Sequence, residues 1–567
     1  MDKKTIINTL EKIALYMELQ GENPFKVSAF RKAAQVLELD PRSLAEMDNI
    51  LSLKGIGAST GAVIEDLINT GACSLLVELQ NTVPSGLLPM LKIPGLGGKK
   101  IAKLYKELQI DSMDALKLAC EACKVQTLAG FAAKTEKKIL AEIENLQSKP
   151  ERTAVWQLEP IVEMIESKLA TISTIEKYSV AGSYRRVKEA SKDIDFIIAT
   201  SAAQQVREEL LKELPVLKVI AAGDTKVSVT LDGDNEIDVD FRLVELHQYA
   251  SALNHFTGSK DHNIKMRQIA KEQGKKISEY GVELEDGSMQ HFNSEVEFYA
   301  YFDLPFIPPS VREDGSEFSK LDQLPLLVTL EDIKGDFHMH STWSDGAHSI
   351  EEMVEASRAK GYSHIVITDH TDYLKVANGL SKERLLRQID TIHDLNNKYA
   401  DIEIFAGTEM DILPDGSLDF DDDLLKQLDF VIASIHSSFS QPQEKIMERL
   451  NNAIKNPYVH MIAHPTGRII EQRNGYNPDV PTLIEWAREN GKILELNANP
   501  YRLDLQTEYL KLAQEKGVPI AINTDAHHID QLKYMDVGVR YAQKAWLHKG
   551  TIVNAWTLEK FKQFIKK

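Results

Sequence analysis

Gly182-Ser183-Tyr184-Arg185-Arg186, followed by Asp193-Ile194-Asp195-Phe196-Ile197-Ile198, decides the reading of this 567-residue chain. Side chains alternate along an extended strand, so Asp193 and Asp195 project from one face. A second acidic strand follows, Glu236-Ile237-Asp238-Val239-Asp240-Phe241, again with carboxylates two apart. Carboxylates on one face, beside a Gly-Ser turn and basic residues, suit divalent cations that bridge a nucleoside triphosphate. A two-metal site needs a third carboxylate, which the second strand supplies; spacing leaves Asp238 and Asp240 both open. A lone Asp-x-Asp is more often a solvated edge-strand pair, and the turn and the second acidic strand weigh against that here.

Upstream, residues 1–150 are helical and punctuated by glycine. Leu53-Lys54-Gly55-Ile56-Gly57 and Ile93-Pro94-Gly95-Leu96-Gly97 share one pattern, and Leu128-Ala129-Gly130-Phe131-Ala132-Ala133-Lys134 repeats it without its second glycine. A tight Gly-x-Gly turn into a helix exposes N–H groups at the helix's positive end, where a phosphate binds without surplus Lys or Arg. One copy is an ordinary helix connection; repetition makes these resemble helix-hairpin-helix motifs, with DNA-backbone contact implied.

Downstream, the Pro-rich stretch Leu304–Ser310 and a linker-like segment, 321–335, precede a regular alternation of strand and helix. Seven strands are expected, around Asp336–Met339, His364–Thr368, Glu403–Ala406, Phe430–Ser434, His460–Ala463, Ile493–Leu496 and Pro519–Asn523. Such alternation implies a parallel β/α barrel. His338, His340, Asp369-His370, Glu409, His436, His464, Asp525 and His527 fall at strand C-terminal ends, which converge on one mouth in a barrel, and Asp345 lies nearby. A single histidine is usually structural; this convergence is not. Imidazole with carboxylate and no thiolate suits Zn²⁺, Mn²⁺ or Fe²⁺, and so many ligands imply two or three ions. His348, His364, His393, His460, His528 and His548 have no such placement and are expected on the surface or in the core.

Composition sets limits. No apolar run reaches membrane-span length, and the chain starts directly in amphipathic helix, so a cytoplasmic protein without membrane contact is expected. Cys73, Cys120 and Cys123 form no disulfide framework, and Cys120-x-x-Cys123 reads as helix-face cysteines. The net charge is −19, distributed as +1 over residues 1–150 (19 basic, 18 acidic), −12 over 151–335 and −8 over 336–567. The acid lies where the metal sites are expected, so any grip on DNA must be local.

The central pattern resembles the polymerase β superfamily. His255-Phe256-Thr257-Gly258-Ser259, with Asn263 and Arg267, narrows it to family X DNA polymerases. The C-terminal pattern (His-x-His, Thr-Asp-His, an isolated His, Asp-x-His) resembles the polymerase and histidinol phosphatase (PHP) domain. By resemblance, Asp193, Asp195 and Asp240 are catalytic and hold Mg²⁺ or Mn²⁺. Gly182, Ser183 and Arg186 contact the triphosphate, His255, Phe256 and Gly258 the sugar, and Asn263 and Arg267 the nascent base pair and template. His255 stands where the family commonly has Tyr, which leaves sugar selectivity open. Phe30-Arg31-Lys32-Ala33-Ala34 resembles the 5′-phosphate-binding helix, and Lys32, Gly55, Gly57, Gly95 and Gly97 are expected to touch DNA. Val63 occupies the position of the lyase lysine; imine formation needs an amine, so deoxyribose-phosphate lyase activity is expected to be absent.

The PHP resemblance implies three ions: one on His338, His340, Glu409 and Asp525, a second on Glu409, His436 and His464, a third on Asp345, His370 and His527. They would activate water against a phosphate ester, with Arg468 a candidate for neutralising the phosphate. The implied architecture is multidomain: an all-α helix-hairpin-helix domain (1–82), fingers (83–150), an α+β nucleotidyltransferase palm (151–245), thumb (246–320), linker (321–335) and a distorted (β/α)7 PHP barrel (336–567). The implied function is template-directed filling of gapped or nicked DNA from dNTPs in repair. The PHP site adds 3′→5′ exonuclease or 3′-end processing, and abasic-site cleavage is open. A bacterial, nucleoid-associated monomer with repair-protein partners is expected. Three rivals are a nucleotidyltransferase acting on RNA or a small molecule, a non-catalytic DNA scaffold, and a small-molecule phosphatase in the barrel.

Overall fold

The computed structural model describes residues 3–39, 50, 53–70, 73–93, 95–148, 152–233 and 236–566. They form two compact units, 1–151 and 152–567. None of the described helices is long and apolar enough to cross a membrane. Pro94, and the expected boundary at 150/151, lie outside the described residues.

The first unit is all helical. Lys3–Gln20 and Pro24–Leu39 pack side by side around Ile6, Leu10, Ile13, Phe30 and Leu37. Each glycine turn has one construction. Gly55, Gly95 and Gly130 take φ of +119°, +85° and +93°, backbone that favours glycine. The apolar residue one step on (Ile56, Leu96, Phe131) is buried, anchoring the turn. Helices Ala58–Thr70, Gly98–Leu108 and Ala133–Ser148 follow. A Cβ on Gly55 would come within 2.9 Å of Val36 and 3.2 Å of the Lys32 stem, so Lys32 lies over the first hairpin. Lys103 Nζ donates to Ala129 O at 2.7 Å, tying the second hairpin's helix to the third turn.

In the second unit, a mixed sheet runs in the order β1 (Lys177–Val180), β2 (Asp193–Ala199), β5 (Ile237–Val244), β4 (Lys226–Leu231), β3 (Val216–Ala222). Only the β2–β5 pair is parallel. Ile194, Phe196 and Ile198 point to one face, under helices Val155–Leu169 and Ala203–Glu213. Ile197 and Ala199, from the opposite face, pack on helix Tyr249–Thr257. Asp193 and Asp195 share that second face. The alternation therefore buries one face and presents carboxylates on the other.

The C-terminal half has six parallel strands in sequential order, β6 (His364–Ile367), β7 (Glu403–Asp411), β8 (Phe430–Ser434), β9 (Met461–Ile462), β10 (Ile493–Asn497) and β11 (Ile520–Asn523). The seventh expected strand, 336–339, is not a regular strand. Val366 N and Thr368 N donate to Asp336 O and Met339 O, and His340 N donates to Ala526 O. The segment thus bonds to both edges of the curled six-stranded sheet while staying irregular. Inside, Phe337, Phe405, Phe430 and Ile493 cluster with Phe561 of helix Leu558–Ile565. His364 and His460 stack on Phe337 and Phe430, and burial pushes both imidazoles to about 4, as core histidines should behave. Residues 321–335 are short 3₁₀ turns in which Leu327 and Val328 are buried. Ala154, Val155 and Val187 join the barrel's core, so palm and barrel pack as one unit.

Two candidate active sites

The first site grows from the parallel register of β2 and β5, which pairs Asp193 with Asp238 and Asp195 with Asp240. Burial, then the neighbouring Asp193 and Asp240, push Asp195 up to about 7. Burial, then Asp240 and Asp238, raise Asp193. Crowded carboxylates of this kind are relieved by a divalent cation. Asp238 is exposed and takes the Thr230 hydroxyl at 2.7 Å. Asp240 is half-buried between Ser228 Oγ at 2.6 Å and Lys226 Nζ at 2.7 Å.

Gly182 stands at φ +60°, and a Cβ there would lie 2.1 Å from Asp195 Oδ2. Only glycine lets this turn approach the carboxylate. Ser183 Oγ hydrogen-bonds Ser191 Oγ, and Arg186 donates to Thr257 O. Arg185 donates to Thr257 Oγ1 at 2.7 Å and to Glu295 at 2.6 Å. The Gly-Ser turn and the Phe256–Ser259 turn are thereby clamped together. Phe256 lies under the Arg242 guanidinium, 4.6 Å from the ring centroid. Asn263 Nδ2 donates to His255 O at 2.8 Å, and Arg267, one helical turn on, is exposed.

The second site gathers the ends of all six barrel strands and the closing segment. Three groups have ligand atoms within 4.8 Å of one another: His338, His340, Glu409 and Asp525; His370, Glu409 and His436; and His340, Asp345, His370 and His527. The first matches the expected set. In the second, His370 joins where His464 was expected, although His464 Nε2 still lies 2.8 Å from Glu409. In the third, His340 is added. His340 is fully buried and neither ring nitrogen makes a hydrogen bond; His338 Nε2, His370 Nδ1 and His464 Nδ1 are likewise without one. Buried nitrogens are rarely left so, and imidazoles facing shared carboxylates fit Zn²⁺, Mn²⁺ or Fe²⁺. His464 and Asp525 adopt φ of +29° and +54°, backbone costing on the order of 1 kcal/mol or more each.

Two carboxylates that orient this shell, Glu495 and Asp411, are not among the residues singled out in the sequence. Glu495 accepts from His338 Nδ1 at 2.7 Å and from His464 N at 2.6 Å. Asp411 lies 3.1 Å from His436 Nδ1. Such partners fix the ring and its tautomer. Asp369 accepts from Ser341 N and Oγ and Gln388 Nε2 (2.6–2.8 Å), holding the loop that leads to Asp345. Period-two alternation from Glu409 pointed to Asp411, and the strand-end rule pointed to Glu495. Despite burial, His338 is held well above its ordinary range by Asp525, Glu495 and Glu409.

Arg468 is not poised for substrate. It forms a two-bond ion pair with Glu189 (2.9 and 3.1 Å), donates to Leu503 O, and is only 9% exposed. It belongs to the seam between palm and barrel, where Tyr541 also donates to Glu189 and Trp156 stacks on Tyr501 at 4.5 Å.

These features define a nucleotidyltransferase-like palm joined to a histidine-lined barrel, and comparisons with known proteins agree. Family models match as a helix-hairpin-helix domain (residues 1–73), DNA polymerase beta palm (155–229), DNA polymerase beta thumb (252–313) and PHP domain (336–499). The chain is 56% identical over 569 residues, all of both proteins, to DNA polymerase/3′-5′ exonuclease PolX of Bacillus subtilis. Probable phosphatases of Thermoanaerobacter sp. and Acetivibrio thermocellus are each 30% identical over 242 residues, 41% of this chain and 94% and 95% of theirs. The chain belongs to the bacterial family X DNA polymerases that carry a PHP domain.

Proposed function

We propose that this chain fills short gaps in DNA by template-directed synthesis and processes 3′ ends at a separate PHP site. The observation that carries this is the disjoint ligand sets: carboxylates on β2 and β5 for one site, histidines with Glu409 and Asp525 for the other. Divalent cations bound by Asp193, Asp195 and Asp240 would neutralise the triphosphate and activate the primer 3′-hydroxyl. Gly182, Ser183 and Arg186 would hold the triphosphate, and the Phe256–Gly258 turn the sugar. At the second site, bound ions would supply an activated water against the terminal phosphodiester. Lys32 and the glycine turns would grip the DNA backbone locally. Val63, half-buried against the core of the first unit, offers no amine, so lyase chemistry at that position is expected to be absent. Repair of excised bases is the setting that fits gap filling with 3′ trimming.

A gapped, 5′-labelled duplex supplied with Mn²⁺ or Mg²⁺ tests this. Wild type should extend according to the template and degrade from the 3′ end. Incorporation that ignores the template would sink the polymerase reading; degradation that spares DNA and takes small phosphomonoesters would sink the 3′-processing one. An abasic duplex in the same assay decides whether cleavage there is a further activity.

A further inference from the structure

Two lysines of different origin converge on one carboxylate beside the proposed triphosphate subsite, next to Arg186. Arg186 and Lys188 lie on the palm loop after the Gly-Ser turn; Lys544 is the last residue of helix Tyr534–Lys544, which packs in the barrel's core through Met535 and Val539. The Glu313 carboxylate, at the end of the thumb, takes both Lys188 and Lys544. Its main-chain carbonyl accepts Ser259 Oγ at 2.5 Å, and Lys544 Nζ also donates to Arg186 O at 3.3 Å. Lys544 therefore touches the loop that carries Arg186 and, through Glu313, the turn that carries Gly258. Arg186 closes the circuit by donating to Thr257 O.

The chemistry exceeds what a tether requires. The Lys544 side chain is 13% exposed, and burial, reinforced by Lys188 and Arg186, works against its charge. Well-packed apolar residues would join two domains at no such desolvation cost. Two lysines on one carboxylate, with Arg186 beside them, leave positive charge in excess, which suits an arriving polyanion.

We propose that Lys544 is a positioning residue for nucleotide binding, through which the barrel helps build the polymerase's triphosphate subsite. This rests on the reading that Arg186 and Gly258 receive the nucleotide. The test uses the full chain, comparing Lys544→Met and Lys544→Arg with wild type and Asp193→Ala in single-nucleotide gap filling. For Lys544→Met, KM for the dNTP should rise about ten-fold with kcat within about three-fold. 3′→5′ degradation and Tm should stay at wild-type values, and Lys544→Arg should restore most of the KM. An unchanged KM would overturn the proposal, as would a loss shared equally by degradation and Tm. Persistent incorporation by Asp193→Ala would instead overturn the reading of the palm site, whatever Lys544 does.

Discussion

In the palm, Asp193, Asp195, Asp238 and Asp240 crowd two adjacent strands, and repulsion with burial raises two of them. In the barrel, a single buried carboxylate, Glu409, has nitrogens of five histidines within 3.5 Å: His338, His340, His370, His436 and His464. Despite burial, His338, His436 and His370 hold Glu409 well below its ordinary range. The difference teaches how each site is loaded. A half-open carboxylate face gains most when cations arrive with a polyanionic triphosphate. A buried, pre-oriented imidazole shell would retain the ions it binds.

The largest test is separability. Asp193→Ala should lower extension on the order of 10³-fold or more while degradation continues, and His340→Ala should do the reverse. Loss of both activities in either variant would merge the two sites and break the comparison. Retention comes next. After dialysis without chelator, elemental analysis should find about two to three ions per chain in wild type and Asp193→Ala, and fewer in His340→Ala. Equal metal in all three would refute a barrel-bound store. The supporting shell should matter less than the ligands: Glu495→Gln and Asp411→Asn should each cost about 10–100-fold in metal affinity or degradation and leave extension alone. The smallest effect separates two aspartates. Asp240→Asn should lower extension as Asp193→Ala does, whereas Asp238→Asn, exposed and held by Thr230, should change it only about two- to three-fold. The opposite ranking would move the third carboxylate to Asp238.

Much of this was legible locally. The Asp-x-Asp pairs share a face because strand geometry has period two, and the glycine turns show φ values that only glycine adopts readily. Strand β3 is not legible in the sequence because its residues, Leu217, Val219 and Ile220 among them, are exposed on both faces, so no alternation marks it. The segment 336–339 reads as a strand because Phe337 and Met339 alternate with His338 and His340, yet it closes the sheet with irregular bonds. Arg468 sits four residues after His464, a position that suggests phosphate contact, and only the packing of palm against barrel shows its pairing with Glu189.

The sequence by itself determined the family and the candidate side chains proposed for both sites, since residue type and strand spacing are local properties. Tertiary structure decided how those ligands group, because partners far apart along the chain, such as His338 and Glu495 or Lys544 and Glu313, meet only through strand order and domain packing. It placed His370 in two of the three candidate ligand groups, turned Arg468 into a seam residue, and brought Lys544 of the barrel to Glu313 of the thumb.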